Sequence, residues 1–257
     1  MDWQEISGSW VLVPSQPAGM VHFVGGAFVG AAPQLSYRYL LEELAQSGFV
    51  IVATPFVNTL DHAAIARNVL SRFESIYERL LRTNWLAERY LPVYGLGHSM
   101  GCKLHLLMGS LYEVERSGNV LLAYNNYPVR QAIPLVQQLE LDTAFDLEFT
   151  PTPEQTNELI ATEYRVRRNL LIQFANDTID QTDLLVEPLT TRFPGLLTSL
   201  SLPGNHLTPV GQRLPWQTGE TFTPLDAMYQ WVKSNLSQDL KRLNQEIQRW
   251  LQPGLMV

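Results

Sequence analysis

The segment from Leu91 to Tyr112 constrains this chain more than any other. A continuous apolar run, Leu91 to Leu96, meets Gly97-His98-Ser99-Met100-Gly101, and Gly101 to Tyr112 then reads as a helix. A short apolar run bounded by turn residues suits a strand buried on both faces, and such strands belong to parallel sheets covered by helices. Two glycines let the strand and the helix approach closely around a sharp turn, with Ser99 at its apex.

The rest of the chain repeats that rhythm. Strands are expected at Trp10 to Pro14, Met20 to Val24, Phe49 to Ala53, Val120 to Tyr124, Asn169 to Ala175 and Gly195 to Leu202. Between them, Ser36 to Gln46 reads as a helix with Tyr39, Leu40, Leu44 and Ala45 on one side, ended by Gly48. His62 to Leu81 carries Ile65, Val69, Phe73, Ile76, Tyr77 and Leu80 at helical spacing. A last helix runs from Pro224 to Leu251, with Trp231, Leu236, Leu240, Leu243, Ile247 and Trp250 stepping along it. After Pro128 the rhythm breaks, and residues 129 to 168 read as a helical cap inserted over the sheet edge. The expectation is one α/β domain over residues 1 to 257, a mostly parallel sheet with helices on both faces.

Composition narrows the chemistry. The chain has 257 residues, 46% of them hydrophobic, and a net charge of −7 without a basic cluster, which argues against nucleic acid. Its one cysteine, Cys102, cannot form an internal disulfide. Met1-Asp2-Trp3-Gln4-Glu5 has no apolar signal region, and no run of 18 apolar residues occurs. The expected location is therefore cytoplasmic, or plastid stroma in a plastid-bearing organism. Five scattered histidines and one cysteine give no zinc spacing. No cofactor is implied, and nothing in the sequence sets an oligomeric state.

A serine hydroxyl is a poor nucleophile until a base takes its proton. His206, in Pro203-Gly204-Asn205-His206-Leu207-Thr208-Pro209, follows the last expected strand and is the candidate base. The base needs an acid to orient it. Asp177, directly after the Asn169 to Ala175 strand, is the first choice, with Asp180 its close rival and Asp183 third. The N–H groups of Met100 and of Ala27, in the Gly25-Gly26-Ala27-Phe28-Val29-Gly30 loop, are candidate oxyanion donors. That loop lacks the lysine and Ser/Thr of a phosphate-binding loop. Of the other histidines, His98 reads as lining or packing the turn, His105 as structural, His22 as buried and hydrogen-bonded, and His62 as a surface helix start.

With these residues in place, the chain resembles the α/β-hydrolase superfamily over nearly its full length. The resemblance rests on Gly25-Gly26, the Gly97 to Gly101 elbow, the Ile172 to Asp177 strand end and the Gly204-Asn205-His206 loop. More narrowly, Gly95-Leu96-Gly97-His98-Ser99-Met100-Gly101-Cys102-Lys103 and Gly204 to Pro209 look like an uncharacterised branch from cyanobacteria and plastids. The resemblance implies a Ser–His–Asp triad, and the order Ser99, Asp177, His206 is the superfamily's own. This chain shows one strand, not two, before Met20 to Val24, which predicts a shortened sheet. It also has Phe174 where many relatives carry glycine.

Two functions remain in view. One is a serine hydrolase of a small ester or thioester. Leu135, Leu139, Phe145, Leu147 and Phe149 of the cap suggest a moderately apolar substrate. The other is a binding or interaction protein that keeps the fold without the chemistry. A dehalogenase would want an aspartate where Ser99 stands.

Overall fold

A computed structural model describes residues 1–83, 85–86, 91–132, 147–211 and 224–252. Eight strands form one sheet: β1 (Gln4–Ile6), β2 (Ser9–Leu12), β3 (Gly19–Val24), β4 (Phe49–Ala53), β5 (Val93–His98), β6 (Gly118–Leu122), β7 (Asn169–Phe174) and β8 (Leu197–Leu202). Their spatial order is β1-β2-β4-β3-β5-β6-β7-β8. β2 runs antiparallel to β1 and β4, and every later pairing is parallel.

The sheet is not shortened. The amino-terminal stretch makes two strands, pairing Gln4 with Val11 and Ile6 with Ser9. Ser7 and Gly8 turn the chain with φ of 51° and 73°, the doubly positive pattern that matches strand twist in a two-residue hairpin. Gln4-Glu5-Ile6 is three residues long with two exposed, so it carries no apolar run to betray it.

The middle strands β3 and β4 are buried along their whole length. Alternate residues serve opposite faces. Val21 and Phe23 pack with Leu40, Leu44, Leu243 and Ile247, which belong to helices Arg38–Gln46 and Pro224–Leu251. Met20, Val50 and Val52 pack on Phe73, Ile76 and Leu80 of helix His62–Arg82. The side chains of Trp231 and Leu236 lie outside the described residues.

Helix Asp183–Arg192 was not foreseen. Pro188 sits inside it and its hydrophobic face is narrow, yet Leu185 and Leu189 are buried against Cys102, Leu106 and Leu171. In the stretch expected as a cap, helix Pro153–Thr162 starts with a capping box between Thr152 and Gln155. Its Ile160 packs against Leu106 and Leu189 on the body of the fold. Leu135, Leu139 and Phe145 lie outside the described residues; Leu147 is exposed and Phe149 buried.

Because β3 and β5 to β8 are parallel, their carboxyl ends share one edge of the sheet. Gly25-Gly26, Ser99, Asn125, Asp177 and His206 all follow those ends. Ligand sites of open α/β sheets collect there.

Candidate active site

Ser99 links β5 to helix Met100–Leu111 with φ 55° and ψ −121°. A non-glycine residue in that region is strained and is held there only by its surroundings. Its N–H donates to the Leu122 carbonyl at 2.9 Å. A Cβ on Gly101 would lie 2.0 Å from the Val24 carbonyl oxygen, so the elbow closes only with glycine there.

His206 Nδ1 lies 2.7 Å from Asp177 Oδ2. The Asp177 side chain is fully shielded, and its other oxygen accepts from the Ile179 N–H at 3.0 Å. With Nδ1–H donating to the Asp177 carboxylate, Nε2 is the lone-pair nitrogen. Asp180 and Asp183 do not reach the histidine. Asp180 Oδ1 accepts from the Thr182 N–H, and burial raises its pKa. Asp183 accepts from Gln173 Nε2 at 2.8 Å.

Ser99 and His206 line one cavity of about 550 Å³, together with Ala27, Met100, Asn125 and Phe149. Among the described hydrogen bonds, none joins Ser99 to His206. The serine Oγ instead accepts from Asn125 Nδ2 at 3.1 Å. The N–H groups of Met100 and Ala27 have no partner among the described residues, as two donors for an oxyanion would require. Nor does any cluster of three or more His, Cys, Asp or Glu among those residues suit a metal ion.

A relay of hydrogen bonds that no local pattern of residues reveals ties the site together. The Gly26 N–H donates to Tyr37 Oη at 2.9 Å, and Tyr37 Oη lies 2.7 Å from His98 Nδ1. His98 Nε2 lies 2.8 Å from the His206 carbonyl oxygen. A carbonyl only accepts, so His98 carries its proton on Nε2 and Tyr37 donates to Nδ1. Burial pushes the Tyr37 hydroxyl up and holds His98 down to about 3, with His206 reinforcing the latter, so both stay neutral. The loop after β3, the elbow and the histidine loop are thereby fixed to one another. Tyr37→Phe leaves the Gly26 N–H and His98 Nδ1 buried without partners. We expect a stability loss of about 1–3 kcal/mol, read by urea unfolding.

Two further residues line the cavity, and one of them departs from the sequence reading. His62 is not a surface residue: it is 4% exposed, its ring stacked 4.2 Å from that of Phe149. Burial lowers its pKa to about 3. Lys103, on the elbow helix, is 2% exposed, and burial pulls its pKa from 10.5 down to about 7 against the opposing field of Glu154. Between those values the unfolded chain holds a proton that the folded chain has lost, so this site lets stability rise with pH through that window. Lys103→Met is expected to stabilise the protein by roughly 3–5 kcal/mol below pH 7, with the gain fading towards pH 10.5. Urea unfolding at an acidic and an alkaline pH reads the difference.

The sheet order, the strained serine turn and the residues at the strands' carboxyl edge define an α/β-hydrolase fold. Within that class, the chain belongs to the family described as Protein of unknown function (DUF1350), whose profile matches residues 2–253. A monoacylglycerol lipase of Paleococcus ferrophilus shares 15% identity with a TM-score of 0.56, over 95% of this chain and 98% of its own. FphF, a fluorophosphonate-binding serine hydrolase of Staphylococcus aureus, shares 13% identity with a TM-score of 0.55, over 77% of this chain and 85% of its own. A dienelactone hydrolase of Anabaena variabilis shares 14% with a TM-score of 0.54, over 95% and 90%. No curated protein matches the chain.

Proposed function

We propose that this protein is a serine hydrolase that cleaves an ester or thioester through an acyl-enzyme. The observation that carries the reading is the 2.7 Å contact between His206 Nδ1 and a shielded Asp177, facing the cavity that the strained Ser99 also lines. His206 Nε2 takes the Ser99 hydroxyl proton as Oγ bonds to the substrate carbonyl carbon. The oxyanion sits against the Met100 and Ala27 N–H groups. The tetrahedral species collapses, the bond to the alcohol or thiol breaks, and His206 returns the proton to that leaving group. Water then repeats the sequence and releases the acid.

Neighbours in fold whose names specify lipase or serine hydrolase activity support this reading. Of the stretch 129 to 168 expected as a cap, Phe149 lines the cavity, and that part would cover the substrate. The narrower likeness to a cyanobacterial and plastid branch, with a cytoplasmic or stromal location, belongs to the same proposal. No described helix is long and apolar enough to cross a membrane.

One observation favours the second reading, a protein that keeps the fold without turnover: Asn125, and not His206, holds the Ser99 hydroxyl. A fluorophosphonate probe separates the two. Labelling of the wild-type chain, mapped by peptide mass to Ser99, is the expected result. Intact folded protein that takes up no probe would support the second reading.

A further inference from the structure

The reaction just described has no use for Lys103 and His62. Both line the cavity beside Ser99, and none of their side-chain nitrogens makes a hydrogen bond among the described residues. Lys103 stands four residues after the serine, on the helix that begins there. Phe149 binds the pair together, its ring stacked on His62 and centred 5.5 Å from Lys103 Nζ.

Nothing in the described chain neutralises the ammonium. Glu154, whose field reaches it, is exposed and accepts a hydrogen bond from Thr152 Oγ1 at 3.0 Å. A buried cation without a partner is costly, and a methionine would fill the same space without that cost. Val29, Met100 and Phe149 give the cavity apolar wall, while Asn58, Asn125, Asn126 and Tyr127 add uncharged polar groups to it. Lys103 is the one lysine or arginine among the described lining residues, and a single cation matches a monoanion better than a dianion.

We propose that Lys103 and His62 bind a carboxylate of the substrate. Resting on the hydrolase reading, this makes the substrate an ester or thioester with a negative charge a few bonds from the scissile carbonyl. The Lys103 ammonium pairs with the carboxylate, and an imidazole N–H of His62 donates a second hydrogen bond. The carboxylate can belong to the acyl part or to the alcohol part of the ester.

Calorimetric titration of Ser99→Ala protein tests the proposal without turnover. One arm compares monomethyl glutarate with dimethyl glutarate, for a charge on the acyl side. The other compares 4-acetoxybutanoate with its methyl ester, for a charge on the alcohol side. We expect the anion of at least one pair to bind at least about tenfold more tightly than its neutral partner. Adding Lys103→Met should remove that preference. Equal binding within both pairs, no measurable binding in any arm, or a preference that survives Lys103→Met would each overturn the proposal. The comparison within each pair needs no change at Lys103, so a misfolded variant does not decide the outcome. Fluorophosphonate labelling of the wild-type chain is run alongside. A carboxylate preference without labelling overturns the hydrolase reading and leaves the anion site standing; labelling without a preference overturns the anion site alone.

Discussion

Ser99→Ala is expected to lower kcat/KM on 4-nitrophenyl butyrate by at least about 10⁴-fold, towards the background left by the oxyanion donors and binding alone. The variant keeps its fold, because the serine side chain makes one hydrogen bond, from Asn125 Nδ2. The backbone bond to Leu122 that seats the elbow is untouched. Circular dichroism that overlays on the wild type, with the rate lost, separates chemistry from stability. A loss below about tenfold would mean that another group carries the turnover.

The second large effect concerns the acid. Asp177→Asn is expected to cost about 10⁴-fold in kcat, with a smaller change in KM. A carboxylate only accepts, so it fixes the His206 proton on Nδ1 and favours the imidazolium that forms as Ser99 is deprotonated. An amide carries no charge, and its N–H₂ can face the ring and reverse the tautomer. Asp180→Asn serves as the comparison. Its carboxylate caps the turn at Thr182 and does not reach the histidine, so its effect should fall on thermal stability. A larger rate loss at Asp180 than at Asp177 would reassign the acid.

Much of this arrangement was legible in the residues. β4 is an unbroken apolar run, and β3 and β5 are apolar or glycine except for His22 and the terminal His98, because strands covered on both faces need no polar side. The serine turn was legible from its glycines and its place between strand and helix. Asp177 and His206 could be chosen because each follows a strand end. Asp177 leads Asp180 and Asp183 in the sequence only by standing nearest the strand end, since all three lie within one loop and helix start. Which carboxylate turns towards His206 depends on the turn geometry that Thr182 and Ile179 impose.

What escaped the sequence is mostly long-range. Tyr37 and His98 are separated by 61 positions, and no local pattern joins them. His62 opens a helix after Asp61, whose side chain caps it. That looks like a surface position until Phe149 arrives from far along the chain to cover the ring. Lys103 did carry a signal. Helix Met100–Leu111 has Lys103 and His105 as its basic residues in an otherwise apolar or small sequence. A helix that is apolar all round is buried all round, so a lysine in its first turns has to be buried as well. The β1–β2 hairpin was missed for the opposite reason, since its first strand is short, polar and largely exposed.

The central claim is that Ser99 becomes covalently acylated. Rapid mixing of the wild-type chain with a panel of activated esters, quenched in acid and followed by intact-mass and peptide mapping, tests it directly. The predicted result is one acyl group per chain, carried on Ser99, and absent from Ser99→Ala. Hydrolysis of those esters with no adduct at Ser99, or an adduct that persists in Ser99→Ala, would contradict it.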